Sequence, residues 1–330
     1  MTSRSATLPS RPDRRDQHGQ DSQGGPNPVT GLARYWHATR PQFLTASVVP
    51  VVVGTAWGAA TAGRFDPLAA LLFLIGMMLG HAAGNVINDV CDDISGNDAL
   101  NDGRITPFTG GSRIIQNGTL SRRAMTWFGA ALLAGPAVTA LYLVPAFGLP
   151  VLLFGLAMAV LVLAYHLPPV KLNHRCLGET VIGLTFGVLP VTMAGWLQAG
   201  TWDTDLVLLS LAVALWIANL LLVNEVPDRR ADALVAKTTL VVALGARRAL
   251  VLHAVLSLTA LALVVWLAGP AALLPWWAVP VPALLTALAV AAVLRAAPDD
   301  RAAMTRAIKA TITLHTLASL WLALALIWGS

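Results

Sequence analysis

Nine runs of roughly 17 to 25 mainly apolar residues lie between polar punctuation, and each is long enough to cross a bilayer as a helix. They fall near 43–62, 67–88, 124–145, 148–166, 179–198, 206–224, 248–268, 273–295 and 307–328. The pattern predicts an all-α, polytopic membrane protein of about nine transmembrane helices. Residues 1–33 have no apolar periodicity and mix Arg, Asp, Gln, Ser, Gly and Pro. That composition predicts a disordered N-terminal tail, with no apolar core of a cleavable signal behind its basic residues, and a membrane domain over 34–330.

Composition agrees. Of 330 residues, 56% are hydrophobic and 12% charged, too little polar surface to cover a soluble globule of this size. The net charge of +5 does not predict a nucleic-acid partner, because the basic residues border apolar runs rather than gather on one water-facing surface. Their distribution orients the chain. With the N-terminus in the cytoplasm the tail carries six, the loops after helices two and four carry four and two, five follow helix six, and four surround the turn after helix eight. This places 21 of the 22 Lys and Arg residues inside, leaving Arg64 outside, as the positive-inside tendency requires. A plasma membrane location with the polar loops facing the cytoplasm follows as the expectation.

Acidic residues are distributed as unevenly. Five fall within Asp89–Asp102 and three within Glu225–Asp232, each group directly behind an apolar helix; charges at such positions are costly and mark functional sites. In GNVINDVCDDISGNDALNDGRITPFTGGSR, a helix continued to Asp92 puts Asn85, Asn88 and Asp92 on one face, and Gly96, Gly103, Gly110 and Gly111 then break it into a long loop. In NEVPDRRADALVAKTTLVVALG, Asp228 and Asp232 share a face with Asn224 one turn earlier, and Pro227 predicts the start of a new helical segment after a break at the membrane surface. The clusters follow helices two and six and so emerge on the same side. Facing carboxylate pairs short of cations call for a divalent metal, and ligation by Asp and Asn oxygens suits Mg²⁺ completed by phosphate oxygens of a substrate. Taken singly, each cluster also fits a solvated rim.

Between helices four and five, YHLPPVKLNHRCLGE offers Tyr165, Lys171 and Arg175 as donors to phosphate oxygens, although two basic residues there are also what topology alone requires. His81, His253 and His315 lie in apolar helices and read as interhelical hydrogen-bonding residues. Most of the eleven tryptophans read as interface anchors, and the separated Cys91 and Cys176 predict neither a disulfide nor a zinc site.

These residues resemble the UbiA superfamily of intramembrane prenyltransferases, in its 1,4-dihydroxy-2-naphthoate prenyltransferase-like branch. Asn88-x₃-Asp92 followed by Asp98 is similar to the family's first aspartate motif and Asp228-x₃-Asp232 to its second, with Lys237, Thr238, Leu240 and Gly245 continuing the latter. RPQFLTASVVPVVVGTA at 40–56 resembles the family's first helix, and Tyr165, Pro168, Pro169, Gly178 and Glu179 its YxxPP…GE stretch. Pro227 stands where many relatives have Arg, and Ala236 where Gly is usual.

The resemblance implies a helical bundle around a central cavity, with both motifs facing each other at its cytoplasmic mouth. It implies Mg²⁺-dependent transfer from an allylic prenyl diphosphate to an aromatic acceptor, with menaquinone biosynthesis as the default pathway. Asn88, Asp92, Asp98, Asp228 and Asp232 would hold the metal. Lys171, Arg113, Arg175, Arg40, Tyr165, Asn224 and Lys237 would contact the diphosphate. A terpene cyclase on the same scaffold shares every metal residue. A cation-coupled transporter fits less well, because its acids would sit near the bilayer centre.

Overall fold

The computed structural model describes residues 30–329. Among them nine helices are long and apolar enough to cross a membrane: α1 (Pro41–Ala62), α2 (Pro67–Ser95), α3 (Arg122–Phe147), α4 (Leu149–His166), α5 (Gly178–Ala199), α6 (Thr204–Leu234), α7 (Ala246–Ala268), α8 (Trp276–Arg295) and α9 (Arg301–Trp328). Residues 1–29 of the expected tail lie outside the described residues, and a short helix, Ala33–Ala38, leads into α1.

Two helices overrun their apolar stretch. α2 has 29 residues and α6 has 31, so each is more than 40 Å long at about 1.5 Å per residue and stands well beyond a hydrocarbon core of about 30 Å. Local signals fix both ends of α2. The Asp66 carboxylate accepts from the Leu68 and Ala69 amides at 3.1 and 3.0 Å ahead of Pro67, and Gly96 closes the helix with φ of 80°, as capping chemistry favours. α6 departs from expectation at Pro227, where no new segment begins: the proline lies inside one continuous helix. An interior proline costs about 3 kcal/mol, but Leu222, Val223 and Val226 beside it are fully buried, and packing of that face holds the helix through it.

α6 is the axis of the bundle. Of its most apolar window 72% is buried, against 11% for α3 and α4, which makes the α3–α4 hairpin peripheral, with Leu141 and Val160 turned outward. Trp216, Ile217, Leu209 and Val213 of α6 meet Val53 and Trp57 of α1, Val264 and Leu267 of α7, and Leu322 and Leu326 of α9 in the largest core cluster. Its one buried amide there, Asn219, donates to the His253 carbonyl and the Ser257 hydroxyl of α7 at 3.0 and 2.9 Å. α1 and α5 approach closely through glycines: a Cβ on Gly54 or Gly58 would lie 2.1 Å from the Val191 carbonyl oxygen or 2.3 Å from that of Gly195. This Gly-x₃-Gly seam is a common close-contact motif of membrane helices.

All the longer polar loops meet at one end. Gln42 donates to the Pro107 carbonyl, Arg301 to the Arg104 carbonyl, Arg229 to Asp299, and Arg175 and Thr238 form a backbone bridge. The opposite end is closed by short turns in which Trp196 stacks on Trp202 and Trp277 meets Trp321 edge-on.

Candidate active site

The overrunning ends of α2 and α6 bring the two acidic clusters together across the mouth of a cavity. The cavity encloses about 1270 Å³, counting its open mouth. Near the mouth it is lined by Asn88, Asp92, Asn97, Asp98, Asn101, Asn224, Glu225, Asp228, Asp232 and Lys237, and deeper by Ile182, Phe186, Ile217 and Leu221. The loop after α2 folds back to clasp α6. Asn97 donates to Asp232 at 2.8 Å and Asn101 to Asp228 at 2.7 Å, while the Gly110 amide reaches the other Asp228 oxygen at 3.1 Å. Gly110 and Gly111 take positive φ of 75° and 70°, and a Cβ on Gly111 would lie 2.7 Å from an Asp98 oxygen, so only glycine brings backbone this close to the carboxylate.

The acids of the first cluster divide by position. Asp92 accepts from Asn88 at 2.7 Å on the cavity wall. Asp89 is buried and holds the Ser112 amide, with Arg40 at 4.0 Å. Asp93 pairs with Arg122 at the rim, 2.6 Å. Burial pushes Asp98 up to about 8, with the Asp92 and Asp89 charges adding to the effect. Lys237 forms an ion pair with Asp232 at 3.2 Å. Burial opposes its charge, yet the carboxylates of Asp92, Asp232 and Glu225 outweigh that and hold Lys237 well above the ordinary ammonium range.

Five carboxylates thus face two cations, Lys237 and Arg40, along this wall. Buried oxygens of Asn97, Asp98, Asn101, Asn224, Glu225 and Asp232 lack any partner. A set of unsatisfied oxygen acceptors without nitrogen or sulfur is the donor chemistry of a hard divalent cation such as Mg²⁺, and in this respect the residues fit one. Among the described residues no three carboxylate, imidazole or thiol groups converge on a single point, so an ion here would take further oxygens from water or a bound phosphate.

Of the twelve residues singled out by sequence, nine line the cavity: Arg40, Asn88, Asp92, Asp98, Tyr165, Asn224, Asp228, Asp232 and Lys237. Arg113, Lys171 and Arg175 lie off its wall. The Arg113 guanidinium donates to the Asp98 backbone carbonyl and Arg175 to the Pro169 carbonyl at 2.9 Å, since tight loops leave carbonyls that long cations satisfy. Sequence reasoning missed Asn97 and Asn101. Their four-residue spacing, matched to that of Asp228 and Asp232, is the signal that would have found them. It counted Glu225 in the second acidic cluster without giving it a role, and its buried carboxyl faces the cavity. His81 bonds Ser47 and His253 bonds Thr311, both at 2.9 Å, as interhelical ties, and both cysteines are free.

A polytopic helical bundle around a cavity with an acidic rim and an apolar deeper wall defines a membrane-embedded helical protein with its candidate site at one end. Comparison narrows the class. The sequence model of the UbiA prenyltransferase family matches residues 47–320. The 1,4-dihydroxy-2-naphthoate octaprenyltransferase of Escherichia coli is 32% identical over 241 residues, 71% of this chain and 77% of that protein. The enzyme of that name from Bacillus subtilis is 27% identical over 245 residues, 73% and 75% of the two chains. In three dimensions the chain superposes on a UbiA homolog from Archaeoglobus fulgidus bound to DMAPP and Mg²⁺, with a TM-score of 0.61, 19% identity and coverage of 89% of this chain and 99% of that one. The chain belongs to the UbiA prenyltransferase family and is a membrane-embedded prenyltransferase.

Proposed function

We propose that the protein transfers a prenyl group from an allylic prenyl diphosphate to an aromatic acceptor of the 1,4-dihydroxy-2-naphthoate type, with Mg²⁺, at a cavity mouth on the cytoplasmic side of the plasma membrane. The observation that carries this reading is the set of unpartnered carboxylate and amide oxygens at the mouth of a cavity whose deeper wall is apolar. The named naphthoate prenyltransferases among the relatives support the acceptor, and the homolog bound to DMAPP and Mg²⁺ supports the donor and the metal.

Asn88, Asp92, Asp98, Asp228 and Asp232, with the free oxygens of Asn97 and Asn101, would hold the metal. Bound there, Mg²⁺ supplies positive charge to the departing diphosphate. The protein's own contribution begins with position. Lys237, kept charged by the surrounding acids, and Arg40, which also lies 5.0 Å from the Phe43 ring, present fixed cations to the diphosphate oxygens. The electron pair of the allylic C–O bond leaves with the diphosphate, the allylic carbon bonds to an electron-rich ring carbon, and that ring carbon then gives up its proton to water or the freed diphosphate, which restores the aromatic ring. Ile182, Phe186, Ile217 and Leu221 keep water from the cationic carbon until the ring captures it.

The test is an assay of membranes containing the full chain with labelled geranylgeranyl diphosphate, 1,4-dihydroxy-2-naphthoate and Mg²⁺, with and without EDTA. A prenylated naphthol that disappears with EDTA is the expected product. Diphosphate release with a cyclic hydrocarbon and no aromatic adduct would reassign the reaction to cyclisation, and failure to consume the diphosphate under any condition would overturn the proposal.

A further inference from the structure

Along α6 the cavity wall changes character within a few turns. Ile217 and Leu221 line its deeper, apolar part, and Asp228 and Asp232 its acidic mouth. Glu225 stands between them on the same wall, about 4.5 Å deeper than Asp228 at the helical rise. A prenyl diphosphate with its head among the acids and its chain against the apolar wall has its breaking C–O bond at this level. The ring carbon that takes the prenyl group has to come to the same level.

Glu225 is only 6% exposed, and its Oε2 is enclosed without a hydrogen-bond partner. Lys237 on the same wall directs its ion pair to Asp232. Opposite, the chain makes room at Gly178, where an added Cβ would lie 3.7 Å from Glu225 Oε1 and 3.8 Å from the Tyr165 hydroxyl. Tyr165 and Glu225 thus flank one glycine, and both line the cavity. The next residue, Glu179, is buried with neither oxygen partnered. Buried polar atoms ordinarily have partners, and acceptors gathered like this call for a donor brought in by a ligand. An acid here does not attract an anion, so neither the diphosphate nor the carboxylate of an acceptor fits this spot. A ring hydroxyl does, because an O–H donated to a carboxylate makes a short, charge-assisted hydrogen bond.

We infer that Glu225 anchors the aromatic acceptor by accepting a hydrogen bond from one of its ring hydroxyls, with Tyr165 bounding the same subsite. The inference rests on the prenyl-transfer reading above and adds how the acceptor is chosen and turned. The hydroxyl held by Glu225 fixes which ring carbon faces the allylic carbon, and its hydrogen bond to the carboxyl strengthens it as an electron donor to that ring.

The experiment uses the full chain in membranes with Mg²⁺ and geranylgeranyl diphosphate, comparing wild type, Glu225→Leu and Glu225→Gln on three acceptors: 1,4-dihydroxy-2-naphthoate, 1-hydroxy-2-naphthoate and 4-hydroxy-2-naphthoate. Each single-hydroxyl acceptor has a kcat/KM penalty relative to the dihydroxy compound. For the one lacking the anchored hydroxyl, Glu225→Leu should shrink that penalty by about tenfold or more, because a site built to bond a hydroxyl rejects the analogue without it. The penalty for the other analogue should stay as in wild type, and the KM for the diphosphate should not move. Glu225→Gln, which keeps the shape, should shift the same penalty in the same direction by less, and it decides the matter if the leucine variant fails to fold. Penalties unchanged from wild type for both analogues would overturn the inference. So would a Glu225→Leu that needs more Mg²⁺ while its preference among acceptors is unchanged, since that assigns the oxygen to the metal. A wild type that prenylates any of the three acceptors keeps the parent reading intact whichever way the variants behave, and one inert on all three would sink both.

Discussion

At the scale of single residues, the mouth is a place where buried charge lacks compensation, and substitutions there should report it. Asp92→Ala and Asp228→Ala remove carboxylates from opposite sides of the cavity. Each should cost about a thousandfold in turnover, the usual size for deleting one preorganised electrostatic contact, while the purified protein still elutes as a folded species. Retained activity in both would refute the placement of the metal site. Asp98 gives a pH signature. Its carboxyl is raised from 3.8 to about 8 by burial, so in the metal-free protein its contribution to stability is full below pH 4 and is lost as pH rises through 8. Asp98→Asn cannot ionise. In EDTA its thermal midpoint should therefore gain on that of wild type between pH 5 and pH 9, and added Mg²⁺ should narrow the gap. The aspartates themselves were legible because helical spacing and position after an apolar run are written in the sequence. Arg113 and Arg175 were not, because a cation in a polar loop serves topology, loop carbonyls and ligand alike, and only the fold shows that these two are engaged with carbonyls. Ala236 illustrates a signal that was legible as a departure but not as a cause: it sits at φ of 55°, a left-handed conformation that penalises any side chain and that glycine would adopt without cost.

At the scale of elements, α1 and α5 test how much of the bundle depends on close backbone approach. Gly54→Ala or Gly58→Ala would drive a methyl into a carbonyl oxygen, and overpacking of this kind costs about 1–3 kcal/mol. Gly84 of α2, where an added Cβ meets nothing within 4 Å, supplies the control. Thermal midpoints in detergent should fall for the first two substitutions and hold for Gly84→Ala. A similar effect at all three sites would show that the seam has no special role. Where helices begin and end was less legible than where they cross the bilayer. Hydropathy ends α2 near residue 88 and α6 near 224, because polar residues close the apolar window. The helices nevertheless run to Ser95 and Leu234, since capping at Gly96 and burial around Pro227 act on backbone that hydropathy does not see. That overrun is also what carries Asp92, Asp228 and Asp232 to the mouth, so the part of the fold hardest to read from hydropathy is the part that assembles the site.

At the scale of the whole molecule, the nine spans were legible because a bilayer demands about twenty apolar residues per crossing and offers no alternative partner for the backbone. Orientation is a separate matter, resting on the asymmetry of Lys and Arg. The structure sharpens it into a measurable contrast, because the loops joined by Arg301–Arg104, Arg229–Asp299 and Arg175–Thr238 occupy one end, while Arg64 is exposed in the short turn between α1 and α2. With Cys91 and Cys176 replaced by Ser, a cysteine at 64 or at 123 becomes the sole thiol, and Arg123 is exposed at the start of α3. A membrane-impermeant maleimide added to intact cells should label Arg64→Cys at once and Arg123→Cys only after permeabilisation. The reverse pattern would put the acid-lined mouth outside, where a prenyl diphosphate made in the cytoplasm could not reach Asp92 and Asp228 without first crossing the bilayer. The labelling therefore decides whether the site can be fed from the cytoplasm.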